Sequence, residues 1–128
     1  MKTKKAKLLQ ELESRNLFSV NMGWRTLTIE TKKGSSFKYK DDQVHGYVDE
    51  VEGKIVVADE LDDESFAEVL LHEITHAILF FVGLGDEDET DKVTVTNEEL
   101  TSRTTKGYLM FFKLNPELAS LFVSQGIS

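Results

Sequence analysis

Two histidines and a glutamate in the middle of the chain have the spacing of a metal site. His72 and His76 are four residues apart, and Glu73 directly follows the first histidine. On a helix, residues i and i+4 lie about 40° apart around the axis, so both imidazole rings project from the same side and can bind one zinc ion. Glu73, rotated by about 100°, can reach a water beside the ion without ligating it. The pattern H-E-x-x-H therefore predicts a zinc hydrolase with Glu73 as general base.

The residues around this motif predict the helix that must carry it. Apolar side chains occupy most positions between residues 66 and 82, which marks the helix as buried almost all round. Asp62 or Asp63 can cap its start, and Gly83 is suited to a left-handed stop. Histidines and a carboxylate inside such a helix cost free energy unless they find partners, and a metal ion is such a partner.

A zinc site of this kind needs a third protein ligand. The chain has no cysteine and no histidine after the motif, so the next candidates are two downstream glutamates. Thr96 and Glu99 have the spacing of a capping box, which leaves Glu98 as the free carboxylate. We therefore expect His72, His76 and Glu98 to bind one zinc ion per chain, with Glu99 as the alternative ligand. Both glutamates also suit a helix start without a metal, because carboxylates favour the positive end of the helix dipole.

Hydrolysis through a tetrahedral intermediate also needs a hydrogen-bond donor for the oxyanion. By residue type alone, His45 and Tyr108 are the candidates. The alternative interpretation is a turn or surface position for His45 and a core position for Tyr108.

Several short segments resemble the motifs of a known family. They are Leu71–Ile78, Gly83–Leu84, Asn97–Leu100 and Asn115–Leu118. Together they make the chain similar, over roughly residues 44–118, to small phage and prophage metallopeptidase-like proteins. These are related to the minimal gluzincins and, more distantly, to the ImmA/IrrE-type metallopeptidases. The resemblance implies a zinc site of His72, His76 and one glutamate, a catalytic Glu73, and a peptide or protein substrate.

The patterns along the chain predict an α+β fold in a single domain over residues 1–128. We expect helices at Lys5–Leu17 (within residues 1–20), at the metal motif, from Thr96 to about Leu114, and after Pro116. We expect strands at Trp24–Thr31, Phe37–Tyr39, Val44–Val48, Lys54–Ala58 and Val93–Val95. The resemblance to minimal gluzincins implies a small, mostly antiparallel sheet packed on the metal helix, with the glutamate helix crossing beneath it. The strand Lys54–Ala58 or its hairpin partner is then the edge that holds an extended peptide.

Composition and charge restrict the classes of partner and the cellular compartment that we expect for this protein. A net charge of −8 weighs against nucleic acid as the main partner, and no membrane segment is expected. The absence of cysteine and of an apolar leader after Met1–Lys5 predicts a cytoplasmic protein, in the host cell cytoplasm if it is phage-encoded.

Two other function classes compete with the peptidase. The first is a zinc-binding phage or regulatory module that acts through protein–protein contacts without catalysis. It is favoured by Thr101–Thr105, where relatives carry a further acidic residue and small apolar residues. The second is a structural virion or assembly protein, which leaves the His-Glu-His cluster without an explanation.

Overall fold

The computed structural model describes residues 5–84 and 96–126. Its elements, in chain order, are α1 (Lys7–Arg15), β1 (Ser19–Asn21), β2 (Thr26–Lys32), β3 (Phe37–Tyr39), β4 (Asp42–Val44), β5 (Gly46–Asp49), β6 (Lys54–Ala58), α2 (Asp63–Phe81), α3 (Asn97–Leu114) and α4 (Pro116–Leu121), followed by a π-helical turn at Phe122–Gly126. Buried apolar side chains from the helices and the sheet form one continuous core. Within these two described ranges, no helix has the length and apolar composition that crossing a bilayer requires.

The sheet is mostly antiparallel, which confirms the predicted α+β class. Four strands pair in the order β1-β2-β6-β5, and β3 and β4 form a separate hairpin. β2 and β6 are parallel, while the other pairs are antiparallel. The predicted hairpin of β5 and β6 is present, and β5 is the edge strand whereas β6 lies inside the sheet.

α2 begins and ends where its sequence predicts. The Asp62 carboxylate accepts a hydrogen bond from the Ser65 backbone N–H at 2.7 Å, and Gly83 adopts a left-handed φ of 84°. The expectation that this helix is buried all round is wrong at its carboxyl end. Phe80 and Phe81 are 44% and 40% exposed, and they line a hollow with Trp24 and Arg25, so the described residues cover that side of the last turn only in part.

α3 packs closely against α2 and runs antiparallel to it. The Arg103 guanidinium donates to the Val82 carbonyl at 3.4 Å, whereas Tyr108, further along α3, contacts Thr75, which is earlier in α2. Between these contacts, a Cβ at Gly107 would overlap a methyl group of Ile78. Only glycine therefore allows the two backbones to approach this closely without displacing a neighbour.

Most predicted elements are found with small shifts of their ends. The predicted helix to Leu114 and the break at Pro116 are confirmed, and α1 is shorter than expected. The strands β1 and β4, the parallel pairing of β2 with β6 and the π-helical turn were not predicted. The predicted strand Val93–Val95 lies outside the described residues.

Candidate metal centre

The rings of His72 and His76, called here the histidine pair, converge on one side of α2. Their Nε2 atoms are 3.2 Å apart, and the ring planes meet at 77°. Two imidazoles on one tetrahedral zinc, each at about 2.0–2.1 Å, place their ligating nitrogens about 3.3 Å apart. The pair therefore has the separation that a shared zinc ion requires.

The same separation also fits a direct hydrogen bond between the two rings. In that case one Nε2–H donates to the lone pair of the other Nε2. Both histidines are accessible, since His72 is exposed and His76 is half-buried. The apolar sequence of α2 predicted that both histidines are buried. The structure leaves both partly or fully exposed, so a cation in solution can reach them.

Glu73 is the buried member of the motif. Its side chain is 7% exposed and faces the sheet, where a Cβ at Gly46 would lie 3.4 Å from Glu73 Cγ. Burial raises the pKa of the Glu73 carboxyl, while His76 and His72 act in the opposite direction and Glu50 adds to the increase. The carboxyl group thus lies next to the histidine pair in a partly water-excluded position.

The structure does not bring either predicted glutamate to the histidine pair. Glu98 is exposed in the first turn of α3, and Glu99 pairs with Arg103 at 2.6 Å. Gly107 is a residue of α3 that packs against Ile78 of α2. At a rise of about 1.5 Å per residue, Glu98 lies about 14 Å from Gly107 along the axis of α3. Across residues 5–84 and 96–126, no three His, Asp or Glu side chains are close enough to hold a metal ion together. The predicted ligand Glu98 can reach the pair only if α3 moves along α2 or its first turns rearrange.

The predicted capping box is only half present. Thr96 Oγ1 accepts from the Glu99 backbone N–H at 3.0 Å, as the pattern predicts. The Glu99 carboxylate does not return to the cap, because it binds Arg103 one turn later on the same helix. Of the two glutamates, Glu98 is still the one whose side chain makes no bond in the described hydrogen-bond network. The reason is that Glu99 binds Arg103, and not that Glu99 binds the helix cap.

A cleft with a volume of about 330 Å³ opens between α2 and the chain that leads from the end of β4 into the first residue of the edge strand β5. Its walls are Val44–Gly46 on the strand side and Glu68, Val69, His72 and Glu73 on the helix side. We call it the α2–β5 cleft. Gly46 permits the close approach of the two walls, since a Cβ there would lie 2.8 Å from Val69 Cγ1 and 2.9 Å from the Val56 carbonyl oxygen. Among residues 5–84 and 96–126, β5 pairs on one side only, so the motif residues lie beside a strand edge that no described strand occupies.

The two oxyanion candidates are held by other hydrogen bonds. The Thr75 hydroxyl donates to the Leu71 carbonyl at 2.8 Å, so the Tyr108 hydroxyl must donate its own proton to Thr75 Oγ1. The His45 Nδ1–H donates to the Ser35 carbonyl at 2.8 Å, which leaves Nε2 of the neutral ring as an acceptor. Tyr108 can donate to an oxyanion only by releasing Thr75, and His45 only when its ring is protonated.

Sequence reasoning missed three features of this region. They are the glycine that lets β5 approach α2, the hydroxyl chain from Tyr108 through Thr75 to Leu71, and the cleft carboxylate Glu68. Glu68 precedes His72 by four residues, so the i, i+4 rule that relates the histidines also indicated that all three share one face.

Comparison with known proteins assigns neither a family nor a function to this chain. No protein family, curated protein or solved structure matches this chain significantly.

Proposed function

We propose that this protein is a zinc-dependent metallopeptidase of the gluzincin type, similar to small phage metallopeptidase-like proteins. The proposal depends on one observation: the His72 and His76 Nε2 atoms are 3.2 Å apart, and the buried Glu73 side chain lies beside Gly46 of the sheet. The order of elements also supports a zincin-like assignment, because an antiparallel edge strand precedes the motif helix and a second helix packs against it.

In this proposal the histidine pair would hold the zinc ion. Glu98 would supply the third ligand, which requires that α3 moves along α2 or that its first turns rearrange, because no third ligand lies beside the pair in the described residues. When bound, zinc supplies Lewis acidity that polarises a peptide carbonyl and favours ionisation of a water. Glu73 takes the proton from the attacking water and delivers it to the departing amine. The low accessibility of the Glu73 carboxyl protects this transfer from bulk water and strengthens its electrostatic coupling to the histidines.

The proposed substrate is an extended peptide that adds to β5. In the described part of the chain, β5 pairs only with β6, so its outer edge still has backbone groups available for a further strand. A peptide on that edge passes through the α2–β5 cleft beside His72 and Glu73. Backbone pairing then positions a peptide carbonyl without requiring a particular side chain.

The second candidate is a zinc-binding module without catalysis. It is favoured by one specific observation: in the described ranges, no third side chain completes a metal site of three ligands with the histidine pair. Such a module uses the same cleft to bind a protein segment and releases it unchanged.

The test of peptidase activity compares wild-type protein, Glu73→Gln and Glu64→Gln, all loaded with zinc, on unfolded casein. Glu64 is an exposed glutamate on the same helix and serves as the matched control. We expect Glu73→Gln to retain zinc and lose at least about 100-fold in rate, because general acid–base catalysis supplies about 10²–10⁴.

The outcomes separate the two candidates. Equal rates for Glu73→Gln and wild type would exclude Glu73 as the base. A wild-type protein that binds zinc and the casein chain without cleaving it would replace the peptidase by the non-catalytic module.

A further inference from the structure

Glu68 is a carboxylate in the α2–β5 cleft that the proposed reaction does not use. It lies one helical turn before His72, about 6 Å along the axis, and lines the same cleft as His72 and Glu73. Its side chain is exposed, and none of the ion pairs among the described residues involves it. A ligand in the cleft therefore meets a carboxylate that has no competing cation in the described part of the protein.

We propose that Glu68 selects peptides that carry a lysine or arginine side chain, which binds beside it in the α2–β5 cleft. This inference rests on the proposed function and names the substrate class of the same site. The polar side chains in the described lining of the cleft are the carboxylates of Glu68 and Glu73 and the imidazoles of His45 and His72, and the lining contains neither lysine nor arginine. A cationic side chain is attracted to this lining, and an acidic one is repelled.

The direction of β5 predicts which side of the cleaved bond carries the cation. Gly46, at the start of β5, lies against Glu73 and the turn before it, whereas Glu50, just after β5, lines a hollow with Ala77. The strand therefore runs along α2 in the same direction. A peptide that pairs antiparallel to β5 passes Glu50 first, so its carboxyl-terminal part approaches Glu68.

The distance between Glu68 and the histidine pair along α2 predicts how far from the cleaved bond the cationic residue lies. Glu68 lies about 9 Å along the axis from the level midway between the two histidines, and an extended peptide advances about 3.3 Å per residue. We therefore expect the selected lysine or arginine about two to three residues on the carboxyl side of the cleaved bond.

A binding measurement tests the selectivity without depending on catalysis. Fluorescence anisotropy is recorded without zinc, with fluorescein-labelled extended peptides of alternating threonine and lysine or of alternating threonine and glutamate. The proteins are wild type, Glu68→Gln and Glu60→Gln. Glu60 is exposed and outside the cleft lining, so its substitution changes the net charge equally and leaves the cleft intact.

We expect wild type to bind the lysine peptide about tenfold more tightly than the glutamate peptide at low ionic strength, as attraction and repulsion each contribute up to about fivefold. Glu68→Gln should reduce this ratio by at least about threefold, and Glu60→Gln should leave it unchanged. Equal ratios in both variants would overturn the inference, because the preference would then come from net charge. Failure of the lysine peptide to bind wild type would overturn it as well.

Zinc titration of the same proteins distinguishes a failure of the peptidase proposal from a failure of the cation selectivity proposed for Glu68. A Glu68-dependent preference in a protein that does not bind zinc would retain the cation-selective cleft and remove the peptidase. Zinc binding and casein cleavage without any effect of Glu68→Gln would retain the peptidase and remove the selectivity.

Discussion

At the scale of single residues, Asn115 connects parts of the fold that are far apart in the chain. It lies between α3 and α4 and is only 8% exposed. Its Oδ1 accepts from the Asn21 backbone N–H at 2.7 Å, and its Nδ2 donates to the carbonyls of Asn21 at 2.8 Å and Phe111 at 3.0 Å. One amide group thus joins β1 to the end of α3, the helix that packs on α2.

We expect Asn115→Ala to lower the free energy of unfolding by about 2 kcal/mol, because the Asn21 backbone groups lose their partners in a half-buried position. Urea unfolding of wild type and variant measures the difference. Asn97→Ala, at an exposed position in the first turn of α3, is the control and should change the stability by less than about 0.5 kcal/mol. A similarly small change for Asn115→Ala would show that water replaces these bonds without cost.

The sequence motif predicted the positions of some side chains and gave no information about others. The spacing of His72 and His76 predicted that their rings converge, since i, i+4 geometry depends only on the helix. Nothing in the local sequence indicated that Asn115 is buried, because its partners in β1 are almost the whole chain away. The hydrogen-bond direction from Tyr108 to Thr75 likewise depends on the packing of two helices and has no local signal.

At the scale of elements, the start of α2 depends on an ionised cap. The Asp62 carboxylate accepts a hydrogen bond from the Ser65 backbone N–H, and this bond lowers the pKa of Asp62 in the folded protein. Because the folded pKa is below the unfolded one, the stabilisation is fully present above about pH 4. It is lost as the pH falls through the folded pKa.

Asp62→Ala should therefore lower the melting temperature by a few degrees at pH 7, and the difference from wild type should shrink on acidification below about pH 4. Asp62→Asn is the matched control, since its amide caps the helix and does not titrate. The gap between the Asn and Ala variants should stay constant with pH. A wild-type advantage over Asp62→Ala that is equal at pH 7 and pH 3 would contradict this account of the cap.

The elements that sequence predicted well are those with local signals. The cap at Asp62, the left-handed Gly83 and the turn before β6 all follow from neighbouring residues. The parallel pairing of β2 and β6 depends instead on the intervening chain, which forms β3, β4 and β5 before returning. β1 and β4 are three residues long and have one apolar residue each, whereas the equally short β3, which was predicted, begins and ends with an aromatic residue. The position of Glu98 depends on the register of α3 against α2, which Gly107 sets from within the helix.

At the scale of the whole molecule, charge and topology act on the same cleft. The chain carries a net charge of −8, and β5 is an edge of the four-stranded sheet. The negative field favours the approach of cations and basic peptide segments, and this attraction weakens as salt screens the exposed charges. In the proposed function, the strand edge and the histidine pair would determine where such ligands bind.

The proposed function requires that a single zinc ion binds between His72 and His76. The most direct test is the zinc stoichiometry and affinity of wild type, His72→Ala, His76→Ala and His45→Ala, measured by competition with a chromogenic chelator. His45 is the natural control, because it is the remaining histidine of the chain and its ring is bound to the Ser35 carbonyl.

We predict one zinc per chain in wild type and His45→Ala. His72→Ala and His76→Ala should each lose at least about 100-fold in affinity, since loss of a ligand costs more than the 10–100-fold typical of outer-shell partners. Unchanged zinc affinity in both His72→Ala and His76→Ala would show that the histidine pair does not bind the ion.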